Sequence, residues 1–258
     1  MICGTFPGPN RNHILGIDQL DPLLWGVYPN FRYRGIDANL TNWPAWKYGP
    51  TLTYYGTSSP PNLLVSSSPY SGPSDKSVEM FGNTGAVGPG SYQDATGTTT
   101  GDVTTGDIFI EMIIKFVAGG GGWIISKGAF PSGGNGWRLY YDSVPNWVIP
   151  NNALVGSYGA ASGFDHLVFS YNRDITGVQG IRHYRNGTLK NLGAQQITTT
   201  LTNAYPLTIN GDKNRALTNT HFYISYVSMW TSQDWIPADT TAVDAMVLAR
   251  YNALQGNY

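Results

Sequence analysis

Cysteine is almost missing from this chain. Cys3 stands alone among 258 residues, which excludes an internal disulfide framework and a zinc site built on cysteine. Charge is scarce too: Asp, Glu, Lys and Arg make up 12% of the residues, about half the usual share, and the formal net charge is −1. The basic residues are scattered, so no cationic stripe exists to release counterions from a phosphate backbone, and nucleic acid is not expected as a partner. No apolar run is long enough to cross a bilayer. The opening MICGTFPGPNRNHILG lacks both the basic start and the uninterrupted apolar stretch of a secretory signal. A chain made and folded in a cytoplasm, with no membrane insertion, is therefore expected.

Catalytic residue types are equally thin. Glutamate occurs only as Glu79 and Glu111. A glycosidase needs two carboxylates flanking the sugar bond, one to protonate the leaving group and one to attack or to activate water. These two fall on different predicted strands, so glycoside hydrolysis is the remotest expectation. The histidines, His13, His166, His183 and His221, have no zinc-ligand spacing. No Gly-x-Ser-x-Gly elbow supplies a serine nucleophile, and AGGGGW lacks the lysine and helix of a phosphate loop. The chain is not expected to be an enzyme.

What it has in abundance is aromatics, at 13%, with 32 glycines and short runs of Ile, Val, Phe, Tyr and Thr. A chain of this length can bury about 70 to 75% of its unfolded surface in one core. The central stretch is DHLVFSYNRDITGVQGIRHYRNG, residues 165–187. Leu167, Phe169 and Tyr171 alternate with Val168 and Ser170. The second run ends at Arg185-Asn186-Gly187-Thr188, where Asn-Gly provides the positive φ angles of a type I′ hairpin. The strongest strand is DIFIEMIIKFV, residues 107–117. Ile108, Ile110, Met112, Ile114 and Phe116 form a wholly apolar face that should line the core, and Phe109, Glu111, Ile113, Lys115 and Val117 form a mixed one.

Further strands are expected at Thr51 to Tyr55, Lys76 to Phe81, Trp123 to Lys127, Gly136 to Tyr141 and Leu207 to Ile209. Residues 144–155, carrying Pro145 and Pro150, favour an edge or a loop, and Gly85 to Gly106 reads as a long threonine-rich loop. In the last strand, Thr220 to Trp230, Phe222, Ile224, Tyr226, Ser228 and Trp230 oppose Tyr223, Ser225, Val227 and Met229. A helix follows, capped by Asp239 or Thr240, with Val243, Met246, Val247, Tyr251 and Leu254 at helical spacing.

Residues 1–45 are too aromatic for a disordered tail and too rich in proline for a central strand. They read as an extended arm. Two placements stand open: the arm packs back on its own domain, or Trp25, Tyr28, Phe31, Tyr33 and Trp43 dock on a neighbouring subunit. Residues 46–258 form the domain proper.

The order of SVEMFGNTG, DIFIEMIIKF, WIISKG, GWRLYYD, FDHLVFSYNRD, IRHYRNGTLKN, PLTINGD and FYISYVSMW before the helix resembles the laminin G-like jelly rolls of the concanavalin A-like lectin and glucanase superfamily. The resemblance runs from about Leu63 to Leu254. It implies two antiparallel sheets, one concave, with ligands or calcium held by loops at the rim; members bind glycans, proteins or lipids. The last strand departs from the family by lacking an acidic residue before its apolar part, and nothing here resembles the glucanases' Glu-x-Asp-x-x-Glu strand. The fold class expected is all-β, an antiparallel two-sheet jelly-roll sandwich with an amino-terminal arm and one short carboxy-terminal helix.

Sugar binding uses exposed aromatic faces with polar groups beside them, and the aromatics nearest predicted loop ends are Trp137, Tyr140, Trp147 and Tyr158. Calcium needs only loop oxygens. Asp75, Asp94, Asp142, Asp174 and Asp212 lie in predicted loops, but no spacing motif fixes a ligand set. The leading expectation is a virion structural or decoration protein, of a bacteriophage, displaying a lectin-like jelly roll and joined through its arm to other virion proteins or copies of itself. The alternative is an adhesion module that binds cell-surface glycans.

Overall fold

The computed structural model describes residues 28–39, 41–46, 48–55, 77–80, 90–95, 97–104, 106–119, 122–128, 136–141, 145–149, 153–155, 163–175, 180–193, 200–211, 220–232 and 236–255. Its strands, in chain order, are β1 (Phe31–Arg34), β2 (Asn42–Trp43), β3 (Leu52–Tyr55), β4 (Val78–Met80), β5 (Ser91–Gln93), β6 (Asp107–Gly119), β7 (Gly122–Lys127) and β8 (Trp137–Tyr141). Then come β9 (Pro145–Ile149), β10 (Ala153–Val155), β11 (Asp165–Tyr171), β12 (Ile181–Arg185), β13 (Thr188–Gly193), β14 (Leu207–Ile209) and β15 (Thr220–Ser232), closed by helix α1 (Thr240–Gln255).

Two antiparallel sheets result. The first runs β1-β15-β6-β11-β12-β13, with β4 also paired to β15; the second runs β10-β9-β8-β7-β14-β5-β3-β2. Their inner faces share one core: Ile108, Ile110, Met112 and Ile114 of β6 and Phe169 of β11 meet Trp137 and Leu139 of β8, Ile125 of β7 and Ile209 of β14. The alternation along β6 thus puts its apolar face where period-2 patterning places it. Asn186 and Gly187 have φ of 51° and 72°, the two positive values of the expected I′ turn between β12 and β13.

The outer face of the first sheet is half covered. Helix α1 lays Val243, Met246 and Val247 on Phe109, Val168, Tyr184 and Trp230, and its amino end is capped by Asp239, whose carboxylate accepts from Thr241 N at 2.9 Å. Each aliphatic side chain buried this way contributes about 1.5–3 kcal/mol.

One open alternative is resolved and two expectations need correction. The described part of residues 1–45 packs back on this chain's own sheets, because β1 is a strand of the first sheet and β2 of the second. A short 3-10 turn, Gly35–Asp37, carries the chain between them. The loop expected over residues 85–106 contains β5, held because Tyr92 packs edge-on against Trp43 and Tyr54; tertiary burial outweighs the weak local signal there. Simple alternation along β15 also fails. A register shift between Ile224 and Tyr226 lets Phe222 and Ile224, then Val227 and Met229, all face the core. An extra residue at a bulge turns every later side chain to the opposite face, so Tyr226 and Trp230 look outward.

Candidate functional site

Three polar clusters and one aromatic surface bear on function. The first cluster joins sheet to helix. Glu111 on β6 is wholly buried, and its two oxygens accept from Arg250 Nε at 2.8 Å and Arg250 Nη2 at 2.5 Å, with His166 Nε2 at 2.8 Å from the first. Burial alone would push this carboxyl up, but the Arg250 charge and the hydrogen bonds from Arg250 and His166 hold it well below the usual carboxylate range. The second cluster repeats the device: Asp244 of α1 accepts from Arg182 Nη2 at 2.5 Å and from Tyr184 Oη at 2.7 Å. In the third, Glu79 of β4 accepts through Oε1 from His221 Nε2 and Tyr223 Oη, each at 2.7 Å. Loss of solvation, then the neighbouring Glu79, pushes the Tyr223 phenol up to about 12.

These arrangements tie the two glutamates down rather than free them. Glu79 and Glu111 sit on separate strands, buried and each engaged by its own histidine. Neither can approach a glycosidic bond from one side while the other works from the opposite side.

The aromatic surface lies on the outer face of the second sheet. Register pairs Trp123 of β7 with Tyr140 of β8. The register shift between Trp123 and Ile125 sends both Ile124 and Ile125 to the core and leaves Trp123 outside. On β8, Trp137, Leu139 and Tyr141 point inward, so Arg138 and Tyr140 share the outer face. The Trp123 and Tyr140 rings meet edge to face at 5.9 Å and 74°. The Arg138 guanidinium lies 3.9 Å from the indole centroid and 5.6 Å from the phenol ring. All three side chains are half-buried, so part of each reaches the surface together.

Of the four aromatics expected to meet a sugar, Tyr140 belongs to this surface. Trp137 does not: it is completely buried, and its Nε1 donates to Gly101 O at 2.8 Å, so the indole is a core post with no face to offer. The Trp147 side chain and Tyr158 lie outside the described residues. Trp123 and Arg138 were not expected, since only the bulge and the cross-strand register reveal them.

The residues expected to contact a neighbouring subunit divide likewise. Phe31, Tyr33 and Trp43 are wholly buried in this chain's own core, with Tyr33 Oη donating to Pro50 O at 2.9 Å and Trp43 Nε1 to Arg34 O at 2.7 Å. They are unavailable to a partner. Tyr28 is 73% exposed, its ring 5.6 Å from that of Tyr48. Trp25 lies outside the described residues.

For calcium, Asp94 is engaged by Leu207 N at 2.8 Å and by the Thr98 hydroxyl, and burial pushes its carboxyl up against those bonds. Asp75, Asp142 and Asp212 lie outside the described residues. Among the described residues no three His, Cys, Asp or Glu side chains come together to hold a metal.

The fold and this surface define a two-sheet β-sandwich that exposes an aromatic and cationic face. No family model matches the chain, and no curated protein matches it. Solved structures do. A botulinum neurotoxin type C structure, from work on cell entry dependent upon two ganglioside molecules, superimposes with a TM-score of 0.58 at 11% identity, over 92% of this chain and 53% of that one. The binding domain of Paraclostridial Mosquitocidal Protein 1 gives 0.57 at 11% identity, covering 89% and 52%. That of botulinum neurotoxin DC, in complex with rat synaptotagmin II, gives 0.56 at 14%, covering 88% and 52%. This chain therefore spans about half the length of these neighbours, and the likeness is one of fold.

Proposed function

We propose that this chain is a non-catalytic glycan-binding module on a laminin G-like sandwich, with Trp123, Arg138 and Tyr140 as its contact surface. The observation that carries the reading is the cluster of Arg138 over the Trp123 indole with the Tyr140 ring beside them, on the outer face of the second sheet. Aromatic faces pack on the apolar face of a pyranose, and guanidinium N–H groups donate to its hydroxyl oxygens. The fold neighbours add support, since one is described for its dependence on gangliosides.

Binding of the full chain to a glycan array, followed by calorimetry with the best glycan, tests this. Trp123→Ala and Tyr140→Ser are each expected to weaken binding about tenfold, the scale of one lost aromatic contact. Melting curves establish that each variant folds. A folded chain that binds no glycan, or variants that bind as well as the parent, refutes the proposal.

Carriage on a virion is the second reading, and exposed Tyr28 is the observation that favours it. Tyr28→Ala should lower incorporation into particles, and unchanged incorporation removes that support.

A further inference from the structure

Where helix α1 leaves the outer face of the first sheet open, four side chains form a row across β4, β15 and β6 to the residue that leads into β11. Tyr223 of β15 is paired with Glu79 of β4 on one side and with Lys115 of β6 on the other. The β6–β11 register, with Ile114 opposite Asp165, sets Phe164 beside Lys115. Val117, two residues further along β6, is 45% exposed, so this end of the face is open to solvent.

Lys115 is the unusual member. Its Nζ stands 6.0 Å from the centroids of both the Phe164 and the Tyr223 rings. Among the described residues it makes no ion pair and no hydrogen bond. Five other cations in this charge-poor chain are matched by carboxylates: Arg34 with Asp37, Arg182 with Asp244, Arg185 with Asp165, Arg250 with Glu111 and Lys127 with Asp102. A lysine on a strand often guards a sheet edge against pairing. That explanation fails here, because β6 lies between β15 and β11 in the middle of the sheet.

The neighbours of Lys115 are oriented. The Tyr223 hydroxyl donates its hydrogen bond to Glu79 Oε1 at 2.7 Å, which leaves the phenol oxygen's lone pairs as acceptors. Glu79 is only 3% exposed, and its other oxygen has no hydrogen-bond donor, so the carboxylate fixes Tyr223 from beneath without meeting a ligand. Read across the row, the surface offers a hydrogen-bond acceptor and a cation, seated over the buried Phe164 ring.

We infer that this row is a second binding site and that its ligand is a carboxylate-bearing saccharide. The ligand's carboxylate would sit on Lys115 and a hydroxyl would donate to the Tyr223 oxygen, while the buried Phe164 ring holds the lysine stem from below. The inference stands on this row alone and not on the surface of the second sheet.

Amide NMR of the full chain, titrated with tetragalacturonate and with its methyl ester, tests it. The acid should shift the amides of Lys115, Tyr223 and Phe164, and the ester should bind about tenfold more weakly, a difference of about 1.4 kcal/mol. Lys115→Met, which keeps the stem but not the charge, should weaken the acid to the same degree, and added salt should weaken it further. Trp123→Ala should leave this binding unchanged, which separates the two sites. No shift with either probe, equal affinity for acid and ester, unaltered binding by Lys115→Met, or shifts confined to Trp123 and Tyr140 would each overturn the site.

Discussion

His183 should make the fold sensitive to mild acid. It lies on β12 with no exposed surface, its ring 3.9 Å from that of Phe169, and burial pushes its imidazole down to about 3. In the unfolded chain a histidine titrates near about 6.5. Above that value the ring is neutral in both states, and its full contribution to stability is present. As pH falls toward 3, the unfolded chain takes up a proton that the folded one refuses. Stability then declines by about 1.4 kcal/mol per pH unit, which amounts to about 2 kcal/mol between about pH 7 and about pH 5. That is a large part of a typical folding free energy of about 5–15 kcal/mol. Urea unfolding of the parent and of His183→Gln across this range measures it. Gln cannot titrate, and His166 and His221 are present in both proteins and cancel in the difference. Whatever the variant costs at neutral pH, the gap between the two proteins should close by about 2 kcal/mol on acidification. A gap that does not change with pH would show that His183 is solvated or paired when charged, and the argument from burial would fail.

Two more perturbations test the architecture. Arg250→Met leaves Glu111 buried beneath the helix without its cation, held by His166 alone, and should destabilise the protein by about 3–5 kcal/mol, whereas Glu111→Leu combined with Arg250→Met should recover most of the loss. A single variant within about 1 kcal/mol of the parent would contradict the buried pair. Removing residues 1–45 takes away β1, β2 and the core side chains Phe31, Tyr33 and Trp43, so the truncated chain should show no cooperative unfolding transition by circular dichroism. A truncated chain that folds would refute the placement of those strands.

The parts of the fold legible in the sequence are those where one local rule suffices. The run over 107–117 has a period of two and an apolar face, and that face is the core face. Asn186-Gly187 encodes its turn because two consecutive positive φ angles are expensive for most other pairs. Asp239 stands one residue before α1 and caps it. The amino-terminal strands escape the same rules because β1 and β2 are only four and two residues long. Segments so short carry no measurable periodicity. Their burial comes from partners far along the chain, as when Phe31 lies opposite Met229. Proline and aromatic density leave both placements of residues 1–45 open because a core edge built of Phe31, Tyr33 and Trp43 has the same composition as an interface.

The candidate sites were hidden for a different reason: register. Trp123 and Tyr140 are separated by a connection whose length does not declare which residues will face each other, and a bulge then decides that Trp123, not Ile124, looks outward. Without the bulge, period two would have set Ile124 opposite in facing to Trp123 and to Ile125, leaving Trp123 and Ile125 on one side. Trp137 is ambiguous in sequence because a tryptophan near a loop reads the same whether its ring points to solvent or to Gly101 O. The row through Lys115 is more demanding still, since it needs three registers at once, β4 to β15, β15 to β6 and β6 to β11. Residue types alone therefore argue for a binding face somewhere on this sandwich, and only strand pairing says that Lys115 lies between two rings instead of beside a carboxylate. If that pairing were wrong by one residue, Lys115 would turn into the core, where an unpaired ammonium is too costly to persist.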